Sequence, residues 1–150
     1  MYREMNKVLK IKSGILIFLT VLVLFSCKKK SADYVPTVTV NYLLYTSDPA
    51  FAQVNIVGGH TYIANIGVCG IVVYCTSTNP STFMAYDRCC TYNVANRNVI
   101  SVDANGVTAT DAVCGSKFLL TDGSVNHGPA SNILKIYQTS FDGTALHIFN

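Results

Sequence analysis

The residues best placed to do chemistry are cysteines. Cys89 and Cys90 stand side by side in AYDRCCTYN (Ala85 to Asn93), and Cys114 stands just before a glycine in DAVCGSKF. Thiolates bind metals, close disulfides or attack them by exchange, and compartment and access decide which. Oxygen donors lie close by in sequence, with Tyr92 after Cys90 and Asp111 before Cys114. Other catalytic machinery is missing. The chain has no Gly-x-Ser-x-Gly elbow, no phosphate-binding loop and no Cys-x-x-Cys, and beyond Glu4 its only carboxylate side chains are aspartates.

The first thirty residues must be set apart before composition is read. Arg3, Lys7, Lys10 and Lys12 form a positive start, and the apolar run Ile15 to Phe25 follows it. Eleven residues fall short of the ~20 that a membrane-crossing helix needs. They fit the apolar core of a signal peptide, and LFSC resembles the lipobox of bacterial lipoproteins. That resemblance implies a signal peptide over 1–26 and cleavage before an acylated Cys27. It also implies an exported protein held on a bilayer by its lipid, since two or more acyl chains make a stable anchor. Lys28 after the cysteine points to the outer membrane of a Gram-negative cell. Residues 27–36 then form a polar tether, with Lys28, Lys29 and Lys30 beside anionic headgroups. Past Lys30 the balance is four basic residues (Arg88, Arg97, Lys117, Lys135) against seven aspartates. This mildly acidic chain offers no basic patch to nucleic acid.

The elements that must position the cysteines read as β-strands. Residues 37–150 are one domain of ordinary size. TVTVNYLLY, HTYIAN, GIVVYCT, TFMAYD, NVISVD, GVTAT, SKFLL, LKIYQTSF and TALHIFN are short, β-branched or aromatic runs. Gly, Pro, Asn and Asp clusters separate them. PAFAQVNI could make one helical turn or two. The pattern predicts an antiparallel sandwich or small barrel. A hairpin turning at STNPS brings Cys69 opposite Cys89 and Cys90, which makes Cys69–Cys89 a candidate bridge. Adjacent residues on a strand face opposite ways, so Cys89 and Cys90 should not share a partner. Cys75 reads as a small buried hydrophobe, and Asp87 and Arg88 as an ion pair bracing the loop.

From Ile71 onward the chain resembles a Rieske iron–sulfur domain, most specifically over Gly115 to Ile148. There it carries Gly-Ser-x-Phe, a glycine-containing turn, Gly-Pro-Ala, Leu and Tyr, then Asp-Gly and a last apolar strand. YDRCCTYN resembles the first ligand loop. The resemblance implies an all-β domain with a two-loop subdomain, and a [2Fe-2S] cluster that passes single electrons. Such a cluster takes two cysteines and two histidines, as Cys-x-His and Cys-x-x-His. The four cluster positions here hold Cys90, Tyr92, Asp111 and Cys114, so only Cys90 keeps its residue type. His60 and His147 fall in predicted strands, and His127 precedes Gly-Pro in the turn that covers the cluster in the family.

Hard oxygen ligands suit a sulfide-bridged iron pair poorly, so the residues lead to an expectation of no cofactor. Without a cluster, Cys90 and Cys114 can face each other and close a disulfide. The bridge spans 24 residues, a constraint of roughly 3–3.5 kcal/mol. The expected function is a membrane-anchored, cluster-free domain with a structural role or an unnamed protein partner. The alternatives are Rieske-type electron transfer and thiol redox chemistry. No enzymatic activity beyond electron carrier or redox partner is expected.

Overall fold

The computed structural model describes residues 34–150. The readings for the signal peptide, Cys27 and the lysine triplet lie outside them. The regular structure of the described chain is almost entirely antiparallel β, in two sheets. In order come β1 (Asn41–Tyr45), one helical turn α1 (Pro49–Ala52), β2 (His60–Ile63), β3 (Ile71–Thr78) and β4 (Ser81–Asp87). A 3-10 turn (Val94–Asn96) precedes β5 (Ile100–Val102), β6 (Thr108–Asp111), β7 (Lys117–Leu119) and β8 (Val125–His127). The chain ends with β9 (Ile136–Phe141) and β10 (Ala145–Phe149). The larger sheet runs β1-β10-β9-β4-β3-β2 and the smaller one β5-β6-β7-β8. No helix among the described residues is long and apolar enough to cross a membrane.

The predicted strands are found with two adjustments, and the predicted helical turn is found as well. The first begins at Asn41 rather than Thr37. PAFAQVNI gives a single turn, where the Asp48 side chain accepts from Ala50 N–H (2.8 Å) and Pro49 supplies a ready φ. The segment assigned to a turn before Gly-Pro is strand β8, three residues too short to show a period.

The β3–β4 hairpin turning at Thr78 to Ser81 explains how two sheets share one domain. Side chains alternate across a strand, and here both faces are apolar. Ile71, Val73, Cys75, Phe83 and Ala85 enter a core with Val40, Leu44, Phe51, Leu146 and Ile148. Val72, Tyr74 and Tyr86 enter a second core with Cys90, Ile100, Ala109, Phe118, Leu120 and Leu134. One hairpin is therefore the wall between the two cores. Cys75 is fully buried, as expected of a small hydrophobe.

Candidate functional site: two cysteine pairs at the ligand loops

The first loop begins where β4 ends. Beyond Asp87 the chain keeps an extended course against its own return: Ile100 N–H donates to Arg88 O (2.8 Å), and Cys90 N–H to Asn98 O (2.8 Å). Cys89 and Cys90 therefore sit on a paired ribbon and point to opposite faces. Cys89 joins Cys69 in a disulfide with a Cα–Cα distance of 5.1 Å. The register that pairs Ile71 with Asp87 continues to this couple, and the expected hairpin geometry accounts for the bridge.

Asp87 organises that bridge. It is fully buried, and its carboxylate accepts from Val68 N–H (2.6 Å), Cys69 N–H (3.2 Å), Cys89 N–H (2.9 Å) and the Tyr137 hydroxyl (2.8 Å). Gly67 lets the loop come this close. A Cβ there would stand 2.7 Å from Asp87 Oδ2, on a backbone at φ +73°. Burial and the neighbouring Asp87 carboxylate push the Tyr137 hydroxyl well above its ordinary pKa. The expected Asp87–Arg88 ion pair is not formed. Neighbours on an extended strand diverge, and Arg88 instead donates to Ile100 O through Nε (3.2 Å) and Nη2 (3.1 Å). Its guanidinium lies 4.1 Å from the centre of the Tyr62 ring, a cation–π contact. The Tyr62 hydroxyl in turn accepts from Val102 N–H (2.8 Å), so Arg88 and Tyr62 tie the two sheets together.

The second loop, between β6 and β7, is a tight closed turn. Asp111 N–H donates to Ser116 O (2.9 Å) and Gly115 N–H to Asp111 O (2.8 Å). Gly115 meets the φ of +78° that this turn needs and an L side chain rarely adopts. Cys114 is thereby turned back over Asp111. Its sulfur lies 3.0 Å from Asp111 Oδ2, 3.1 Å from Ser116 Oγ and 3.6 Å from the sulfur of Cys90. The loop tips meet through sulfur, as two thiols at hydrogen-bonding distance. Cys69 and Cys89 are bonded; Cys90, Cys114 and Cys75 are free thiols.

The electrostatics follow from burial. Burial raises the Cys90 thiol pKa strongly, and the Asp111 and Cys114 side chains raise it further against a lowering contact from the Tyr92 backbone. Burial also works to raise Asp111. Hydrogen bonds from Cys114, Cys90 and the Val113 and Cys114 backbone outweigh it, and the carboxyl ends below its usual range. The segment after β8 holds both loops: Thr91 Oγ1 donates to Asn132 O (2.6 Å), and Ala130 N–H to Ser116 Oγ (2.9 Å).

Of the four cluster positions, the fold brings Cys90, Asp111 and Cys114 to one point, their donor atoms within 4.8 Å of one another. Tyr92 is half-buried against the second core. No histidine belongs to this group or to the other such group among the described residues (Cys69, Asp87 and Cys89). His60 packs on Tyr62 in β2, His147 contacts Asn41 Oδ1 (2.7 Å) in β10, and His127 is exposed on β8. A [2Fe-2S] cluster needs four donors shared between two irons, two of them imidazoles in a Rieske centre. Two sulfurs and one carboxylate around a single point do not fit it. Sequence reasoning did not find the roles of Asp87 and Ser116. The available signal was a polar residue at the mouth of each loop, ending β4 in one case and standing just before β7 in the other.

No protein-family model matches the sequence, and no curated protein does. Among solved structures, the chain is similar to the plasma membrane Rieske protein PetC3 of the cyanobacterium Synechocystis PCC 6803. The two share 20% identity at a TM-score of 0.51, over 75% of this chain and 98% of that one. A Mycobacterium tuberculosis protein described as an NADH-dependent nitrite reductase small subunit matches at 14% identity and TM-score 0.45, over 76% of this chain and 97% of that one. The described domain has a Rieske-like fold.

Proposed function

We propose that this protein is a membrane-anchored, cluster-free Rieske-like domain with a structural or partner-binding role, its two ligand loops joined by Cys90 and Cys114 in place of iron. The observation that carries this reading is the 3.6 Å approach of the two sulfurs, where a Rieske cluster would need imidazoles as well. In an oxidising compartment the pair closes to a disulfide. Two thiols give up two protons and two electrons to a disulfide-bearing exchange partner, which leaves as a dithiol. The anchor is the acylated Cys27, and the lysine triplet and tether 27–36 set the domain off from the bilayer surface, on the exported side of the membrane.

The approach of the two sulfurs also favours a second reading, thiol–disulfide exchange as the function itself. The half-buried Cys114 is the accessible partner, while the raised pKa of Cys90 makes it a poor attacking thiolate. The test is a disulfide map of protein isolated from membranes with free thiols blocked at lysis. A Cys90–Cys114 cross-linked peptide supports the structural reading, and a mixed disulfide from Cys114 to another protein supports exchange. Iron and acid-labile sulfide in the anaerobically isolated protein contradict both and return the domain to electron transfer.

A further inference from the structure

The point where Cys90, Asp111 and Cys114 converge has the dimensions of a single metal ion. Two thiolates on one tetrahedral zinc, at about 2.3 Å from it, stand about 3.8 Å apart. Here the sulfurs are 3.6 Å apart. A thiolate and a carboxylate oxygen on the same ion stand about 3.5 Å apart. Cys114 Sγ and Asp111 Oδ2 are 3.0 Å apart, so the carboxylate need only swing outward slightly. The supporting shell is in place. Val113 N–H donates to Asp111 Oδ1 (2.8 Å), which leaves Oδ2 for the metal, and Ser116 Oγ lies against the Cys114 sulfur. Cys90 and Asp111 are buried, whereas Cys114 is partly open and gives solvent a way in.

Resting on the cluster-free reading above, we infer that the reduced protein binds one divalent ion of the zinc type through Cys90 Sγ, Cys114 Sγ and an Asp111 carboxylate oxygen, with water in the fourth position. Two soft thiolates select zinc over magnesium or calcium. The two thiol protons leave to solvent as the ion enters, and no electron changes hands. Disulfide closure consumes both thiolates, so the metal-bound and oxidised states exclude each other. The second acid–thiol group offers no thiolate while the Cys69–Cys89 bridge is intact, and its Asp87 is engaged by four donors in any case.

The test is an anaerobic cobalt(II) titration of the full chain in detergent, after reduction and removal of the reductant. The expected result is saturation at one ion per chain, with the intense thiolate-to-cobalt and visible bands of a tetrahedral site, all displaced by zinc. Cys90→Ser and Cys114→Ser should each abolish the bands, and Asp111→Asn should weaken binding at least tenfold. Cys69→Ala combined with Cys89→Ala should keep them. Zinc should also slow alkylation of Cys114 at least tenfold in the unmodified sequence, a readout that needs no variant to fold. Absence of tetrahedral bands, their survival in Cys114→Ser, their loss in a Cys69 and Cys89 variant that keeps the circular dichroism of the unmodified protein, or unshielded Cys114 would overturn the inference. An iron-free protein that ignores cobalt removes the metal inference alone, whereas iron with labile sulfide removes the cluster-free reading beneath it.

Discussion

Cys89 and Cys90 are neighbours in sequence, and the fold sends them to opposite fates. Cys89 lies where the β3–β4 ladder continues, faces Cys69 in register, and is fixed by a carboxylate that accepts from four donors. Cys90 faces the other way, into the second core, and meets Cys114 across two loop tips. A strand ladder dictates the first contact, and two turns with a shared clasp dictate the second. The first pair is therefore a staple set by backbone register, and the second is a site whose state chemistry can change.

The largest expected effect tests the fixed side of that comparison. Asp87→Ala strands three backbone N–H groups and the Tyr137 hydroxyl. With buried donors left unsatisfied, urea unfolding should show a loss of about 3–5 kcal/mol. A loss under about 1 kcal/mol would mean that the bridge needs no such support. Next, removing the Cys69–Cys89 bridge, a separation of 20 residues, should cost about 3 kcal/mol. That cost should be the same whether Cys90 and Cys114 are oxidised or reduced, as calorimetry on both forms would show.

The contrast between the pairs also explains what could be read in the sequence. The β-branched and aromatic runs flanking the STNPS turn specify the hairpin, and register then places the Cys69–Cys89 bridge to within a residue or two. The alternation rule likewise separates Cys89 from Cys90. The resemblance over Gly115 to Ile148 led to the fold and the two loops. Other features were hidden because they depend on turns and tertiary closure rather than on periodicity. Cys114 reaches Asp111 only because Gly115 reverses the chain. Asp87 became a hub rather than a partner of Arg88 because its side chain faces the returning loop at Gly67. β8 pairs with β7 across a register shift that no short sequence pattern reveals.

Smaller effects sharpen the conditional side. In oxidised protein, Cys114→Ser should cost about 3 kcal/mol, and adding Cys90→Ser should cost little more, since a bridge is lost only once. In reduced, metal-free protein the same Cys114→Ser should cost under about 1 kcal/mol, because the side chain is only half-buried and serine keeps a donor. Equal costs in the two states would erase the distinction between the pairs. The smallest effect concerns alkali. Tyr137 has its pKa raised by burial and by Asp87, so its stabilising contribution is complete below the ordinary tyrosine value of about 10. It is lost as pH rises beyond that toward the folded-state value. Tyr137→Phe should make the alkaline fall in melting temperature shallower, leaving the share of Tyr86, whose pKa burial also raises. An unchanged alkaline slope would contradict this.

The most direct test of the central claim, that thiols and not an iron–sulfur cluster join the two loops, is an iron and acid-labile sulfide assay on anaerobically purified full-length protein with its visible spectrum. The expected result is a colourless protein with only trace iron and sulfide, its Cys90 and Cys114 recovered as a pair of thiols or as their disulfide. Iron and sulfide approaching cluster stoichiometry, with charge-transfer bands that vanish in Cys90→Ser, would contradict it.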